Sequence, residues 1–460
     1  MLAGGGRVNI IKYPPRSYSG SRRPEGRGSV IREMDTITTF IAIGSIIFIG
    51  FFGNVLFNRY RIPDVLILIF LGMVIGPDIL GDRFGFVDTG TLNYINTFRD
   101  VFLSAALVII LFDGGLSLDV RAVIESMRLT ALMSVLTFVV EMSAVAALLH
   151  LVMDIDLMIS LILGAIVGGT TGAVVIPLAC RMRIKPGTKS MLIMESVITD
   201  VLVIVTVLTL ISVAEKGEVS LLSVSTELAV KFLVGGTVGL VAGIAWLYVL
   251  QKLHNQPLAY MITVAALFII AGVVELPPVS SSGAVAALAF GLAIGNRKYM
   301  KNRLASLSLT MLTEEHIHHF HTEITFFVRT FFFVYLGLSF RFDTFTATHL
   351  VAGLLVISII VLARRLTSLL VWKVSEMDEE DASAVFSMMP KGLSAAVLAT
   401  LPAVALAGTA LWQDEYGPLF INVTLLVILG TTALATVLSF ATERGIDRRN
   451  RMALRRRLME

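Results

Sequence analysis

The sequence predicts an all-α polytopic membrane protein of about thirteen transmembrane helices, built as two inverted six-helix repeats around one connecting helix. Three observations predict it. Of 460 residues, 56% are hydrophobic and 15% are charged, and the mean hydropathy is +0.83, more apolar surface than a soluble chain of this size can hide. Apolar stretches long enough to cross a hydrocarbon core of ~30 Å recur along almost the whole chain. Two of these stretches, at matching places in the two halves, are interrupted by helix-breaking residues.

Taken in order, the spans cover roughly 35–57, 62–77, 98–117, 129–150, 156–180, 190–213, 226–250, 257–275, 278–295, 321–340, 347–371, 381–406 and 417–441. The second is short, and only Leu276-Pro277-Pro278 parts the eighth from the ninth. Residues 34–213 then hold a first six-helix repeat, 214–256 a linker helix, 257–441 a second repeat, and 442–460 a basic tail. An odd connector sends the second unit into the membrane from the opposite face. Residues 1–33 are rich in Gly, Pro, Ser and Arg and lack the apolar core of a signal peptide, so they read as a disordered extension, with Met34 the expected natural start.

Charge sets the orientation. Arg59/Arg61, the run Arg181 to Lys189, Lys252, the run Arg297 to Arg303 and the tail from Arg444 to Arg457 fall on one side of thirteen spans. The alternate loops around Asp154, Glu215 and Asp414 are acidic or neutral. By the positive-inside rule the C-terminus is cytoplasmic, which suits a multi-pass protein of the cell membrane. Cys180 is the single cysteine, so neither an intramolecular disulfide nor a cysteine metal cluster can form.

The function lies where polar residues interrupt the apolar pattern. Glu195-Ser196-Val197-Ile198-Thr199-Asp200 puts two carboxylates at membrane depth. An ionisable residue there costs on the order of 2.5–3.5 kcal/mol and marks a proton or ion site by default. An offset of roughly 222 residues maps the fifth span onto the twelfth, and both are broken: one at Gly168-Gly169-Thr170-Thr171-Gly172, the other at Pro390-Lys391-Gly392. Packing glycines and a proline kink are the ordinary alternative, but paired breaks beside buried carboxylates favour a midplane site.

Glu195 and Asp200 are five residues apart, about 140° around a helix, so they cannot serve one ion together. Asp200, with Ser196 and Thr199 near it, offers the hard oxygens a small cation needs, and its carboxylate can hold a proton instead. Competition between the two is the minimal antiport mechanism. Glu195 needs a cationic partner. Arg364 and Arg365 in the eleventh span and Lys391 at the twelfth are the candidates, and an arginine would make the pair a structural strut. Lys391 also suits the negative helix end or the backbone carbonyls at the crossing.

Several segments together resemble the monovalent cation/proton antiporters of the NhaP-like sodium/proton exchanger group. They are Ile62-Pro63 to Gly81, Leu111-Phe112-Asp113-Gly114-Gly115-Leu116, Glu195-Ser196-x-x-Thr199-Asp200 and Met389-Pro390-Lys391-Gly392-Leu393-Ser394-Ala395-Ala396. The likeness runs in order over about 35–441. It implies the sodium/proton antiporter fold and a homodimer of thirteen-span protomers, each with a core and a dimerisation domain moving like an elevator. It also implies exchange of Na+, with Li+ or K+ as alternatives, for H+, with no cofactor, no enzymatic activity and no nucleic-acid partner.

Residue by residue, Asp200 matches the carrying aspartate, Ser196 a ligand beside it, Glu195 the arginine-paired glutamate and Thr170 the threonine at the crossing. Arg364 fits the arginine better than Arg365. Two positions depart: Thr199 stands where the group has Asn, and Thr171 where its T-D-P motif has Asp. The lack of a second aspartate beside Asp200 resembles the electroneutral branch. The cation-site set is therefore Asp200, Ser196, Thr199, Thr170 and Thr171.

Weaker features remain. His316, His318, His319 and His321 precede the tenth span and titrate near neutrality, which suits a pH sensor or, less well, a zinc site, although a solvated cluster is the plainer reading. Asp113 reads as a structural or pathway residue, and Glu141 and Glu323 as paired or interfacial. A cation channel, a symporter of organic solutes on a related fold and a membrane-embedded hydrolase using Asp113 and Asp200 are the competing classes.

Overall fold

Each break in the apolar pattern becomes a helix end. The computed structural model describes residues 44–55 in part, 63–79, 104–116, 128–216, 221–252, 259–277, 282–297, 314–340 and 342–459, scattered positions excepted. The expected extension 1–33 and the start at Met34 lie outside the described residues. Among the described residues no strand occurs.

Helix α1 (Asp64–Ile75) starts after Pro63 and stops at Gly76, as a proline at a helix entry allows. A helical stretch Ser104–Leu116 follows. Then come α2 (Arg128–Met153), α3 (Leu157–Val167), α4 (Gly172–Arg181), α5 (Pro186–Lys216) and α6 (Leu221–Lys252). The Asp156 carboxylate caps α3, accepting from the N–H groups of Met158 at 2.7 Å and Ile159 at 3.4 Å. Asp154 turns the chain just before it at φ 54°, a left-handed conformation that Asp tolerates.

Helix α7 (Ala259–Glu275) ends at the Leu276-Pro277 step, and α8 (Gly283–Gly295) begins at Ser282, whose hydroxyl accepts from Val285 N–H at 3.3 Å. The chain continues through α9 (Glu314–Leu338), α10 (Ala347–Ser375), α11 (Glu379–Ser387), α12 (Leu393–Leu398), α13 (Pro402–Ala405) and α14 (Tyr416–Met459). The basic tail expected after residue 441 extends this last helix instead of leaving it. Its Arg, Leu, Met and Ala residues favour helix, and no proline interrupts them.

Six helices among the described residues are long and apolar enough to cross a membrane, and six shorter apolar helices accompany them. Their outer faces carry large apolar side chains such as Phe48, Phe70, Leu151 and Ile269, all exposed. That is the surface of a multi-pass membrane protein, since lipid replaces water around it.

Elements recur at the expected offset. The starts of α3 and α11, Leu157 and Glu379, are 222 residues apart. Around the paired breaks, α2 packs on α3, α5 and α10, while α14 packs on α10 and α11. Elsewhere α6 packs on α8 and α1 on α9. The latter pair meets at Gly72 and Gly337, where a Cβ on either residue would run into the facing backbone. Close approach through small residues is how helices associate when lipid removes the hydrophobic drive between them.

Candidate functional site

The two broken helices cross. Between α3 and α4 the backbone leaves the helix at Gly168 to Thr171, and between α11 and α12 at Met388 to Gly392. The segments are tied directly, with Thr171 N–H donating to the Pro390 carbonyl at 3.0 Å. This satisfies part of the backbone that the breaks release at membrane depth. The fit is tight at Gly392, where a Cβ would stand 2.5 Å from both Cγ2 and Oγ1 of Thr171.

Helix α5 lies against the crossing and hands residues to it. Thr199 accepts from Thr170 N–H at 3.1 Å, and its hydroxyl lies 3.2 Å from that of Thr170 and 3.3 Å from the Thr170 carbonyl. A hydroxyl has one proton and two lone pairs, so Thr199 closes both sides of the Thr170 backbone. Ser196 donates to the Ile193 carbonyl of its own helix at 2.8 Å, leaving its lone pairs for another partner.

Asp200 reaches both half-helices. Its Oδ2 accepts from Gly172 N–H, the first residue of α4, at 3.4 Å. Its Oδ1 accepts from the Ser394 hydroxyl in α12 at 2.6 Å. Ser196, Thr170, Thr171 and Thr199 are all buried around it, whereas Asp200 itself stays partly exposed. Of the candidate ligands it is the one that keeps some exposed surface.

Two other buried carboxylates are paired with cations. Glu195 receives a two-pronged bond from Arg364: Nη1 to Oε1, and Nη2 to Oε2 at 2.9 Å. Arg364 Nε also donates to the Val385 carbonyl at 3.0 Å, next to the second break. Arg365 does not join: it is exposed, with its guanidinium 5.3 Å from the Phe386 ring centre. Lys391 reaches Glu141 of α2 at 2.5 Å, with both side chains fully buried. Its backbone N–H donates to the Thr431 hydroxyl at 3.1 Å. Thus neither Arg365 nor Lys391 meets Glu195.

Sequence reasoning did not foresee two contacts, Ser394 on Asp200 and Glu141 on Lys391. The second carried a signal, since Glu141 is an acid deep in an apolar helix and needs a partner. Asp113 is half-buried in Ser104–Leu116, Glu323 is exposed, and Cys180 is exposed with a free thiol. The backbone of His316 to His321 lies in α9, and the side chains of that cluster fall outside the described residues.

A family model described as "Sodium/hydrogen exchanger, transmembrane" matches residues 43–442. The chain belongs to the sodium/hydrogen exchanger family. Among the chain's relatives is a "K(+)/H(+) antiporter NhaP" of Alkalimonas amylolytica, 26% identical over 264 residues, which are 56% of this chain and 44% of that protein. The match thus spans under half of that relative's length. A "Probable Na(+)/H(+) antiporter 2" of Methanocaldococcus jannaschii is 24% identical over 348 residues, covering 71% of this chain and 76% of that one. The fold is similar to that of the sodium proton antiporter MjNhaP1 from Methanocaldococcus jannaschii at pH 8. The TM-score is 0.73 at 18% identity, covering 88% of this chain and 99% of the other. The matched region takes in every residue of the site described above.

Proposed function

We propose that this exchanger carries a monovalent cation one way and a proton the other, with Asp200 as the single carrying carboxylate. The observation behind this reading is the position of Asp200: partly exposed at the crossing and bonded to Gly172 N–H and Ser394, one donor from each broken helix. Neutral donors hold a carboxylate without neutralising it. Its one negative charge can then be met by a proton or a cation, but not both at once. Ser196 supplies a further oxygen, while Thr199 and Thr170 keep the broken backbone in register.

Exchange in this reading is one for one. Glu195 and Glu141 spend their charges on Arg364 and Lys391, and the positions where a second acid would act hold Thr199 and Thr171. Asp200 carries one positive charge in each direction, so no net charge crosses the membrane. The two six-helix units enter the membrane in opposite orientations, alternating access moves the site between the two faces, and two protomers pair in the cell membrane with the C-terminus inside. Sodium is the cation proposed, with lithium and potassium as the other arms of the test, since the named relatives are a potassium/proton and a probable sodium/proton antiporter.

The test uses purified protein in liposomes with an acidic lumen and a fluorescent pH reporter. Adding sodium, lithium or potassium collapses the gradient, and Asp200→Ala removes the response to all three. Normal exchange by Asp200→Ala would show that another group carries the ions.

A further inference from the structure

We propose that a cavity between α2, α5 and α10 is a binding site for one structural water molecule, which completes the hydrogen bonding of the Arg364–Glu195 pair. Ser134 of α2, Glu195 of α5 and Arg364, Thr367 and Ser368 of α10 line the cavity. About 10 Å³ of it is open to the centre of a water molecule, which is room for one. All five side chains are buried, so the wall is polar inside a bundle whose lipid surroundings offer no hydrogen bonds.

The lining selects its occupant by the direction of its hydrogen bonds. The hydroxyl protons are already used within the helices: Ser134 donates to the Thr130 carbonyl at 2.8 Å, Thr367 to that of Arg364 at 3.2 Å and Ser368 to that of Arg365 at 2.9 Å. Their oxygens therefore offer lone pairs. Arg364 does the opposite. Three of its five N–H groups go to Val385 and Glu195, and two are left to donate. An anion would meet the hydroxyl lone pairs, and a cation would meet the guanidinium with the Glu195 charge already taken. A water molecule both accepts from Arg364 and donates to two hydroxyls, which gives it the number of partners a buried water has. Water held in this way ties α2 to α10 through the ion that reaches the second break.

The test is a cryo-electron-microscopy reconstruction in lipid nanodiscs, at a resolution where buried waters are visible, of the wild type, Ser368→Ala and Ser368→Val. Ser368→Ala keeps the space and Ser368→Val fills it. Density within hydrogen-bonding distance of Arg364 is expected in the first two proteins and lost in the third. A wild-type map that shows water elsewhere in the interior but none here would overturn the proposal, as would density coordinated as an ion or density that persists in Ser368→Val. Thermal unfolding in detergent separates loss of the water from overfilling. Ser368→Val should lower the midpoint in the wild type but not in the background of Glu195→Leu with Arg364→Met, where no buried ion needs the water. An equal drop in both backgrounds means steric crowding and rejects the role. Should Ser368→Val not fold, the maps of the wild type and Ser368→Ala decide: density in both supports the site, and its absence rejects it.

Discussion

Arg364 and Arg365 are neighbours, yet the ~100° turn between successive residues of α10 sends one to Glu195 and the other to the ring of Phe386. Only the first is a buried ion, held by three donated bonds to Glu195 and Val385. A guanidinium fork matches a carboxylate in a way that a lysine ammonium cannot. Removing one partner strands the other charge at membrane depth, so Glu195→Gln should cost about 3–5 kcal/mol, read as a lower thermal unfolding midpoint in detergent. Replacing both partners, Glu195→Leu with Arg364→Met, should recover most of that loss. A Glu195→Gln protein that melts like the wild type would remove the strut from the account.

Helices α2 and α10 pack on each other, and each carries one buried ion: Glu141 and Arg364, 223 residues apart. Glu141 reaches Lys391 at the second break, and Arg364 reaches Glu195 on α5 and the Val385 carbonyl beside that break, so these two helices brace the second break. The breaks themselves leave no spare room. Gly392→Ala should force Thr171 or the Pro390 segment to shift, at about 1–3 kcal/mol, and should slow exchange. Gly187→Ala, where an added Cβ meets nothing, is the matched control, and equal behaviour of the two variants would contradict a tight crossing.

Outside the membrane depth, Lys185 ties the α4–α5 loop to the start of α11. Its Nζ lies 2.6 Å from Asp378, and its N–H donates to Asp381 at 3.2 Å. The hydrogen bond that Lys185 donates to the Asp378 carboxylate raises the lysine's pKa above its ordinary value. A raised pKa means this contribution is whole below the usual lysine range and fades only as pH climbs beyond it. The latch therefore stays closed across physiological pH.

For the molecule as a whole, the relevant quantity is net charge at the midplane. Glu141 with Lys391 and Glu195 with Arg364 form two neutral pairs, so in the reading proposed above Asp200 is the group that changes state. Exchange should then be insensitive to membrane voltage: clamping liposomes with potassium and valinomycin while sodium enters should leave the rate unchanged. A voltage-dependent rate would mean that a second charge travels with each cycle.

By itself the sequence determined the membrane class, the positions of both breaks and the separation of Glu195 from Asp200. All of these follow from composition, periodicity and helical spacing, which are local properties. Tertiary structure confirmed Arg364 over Arg365 and alone decided the other partners: Glu141 for Lys391, Ser394 for Asp200 and Thr199 for the backbone of Thr170. Each of these contacts joins residues at least 29 apart in the chain. Which of several chemically suitable partners meets a buried group is set by how helices pack, and no local pattern encodes that.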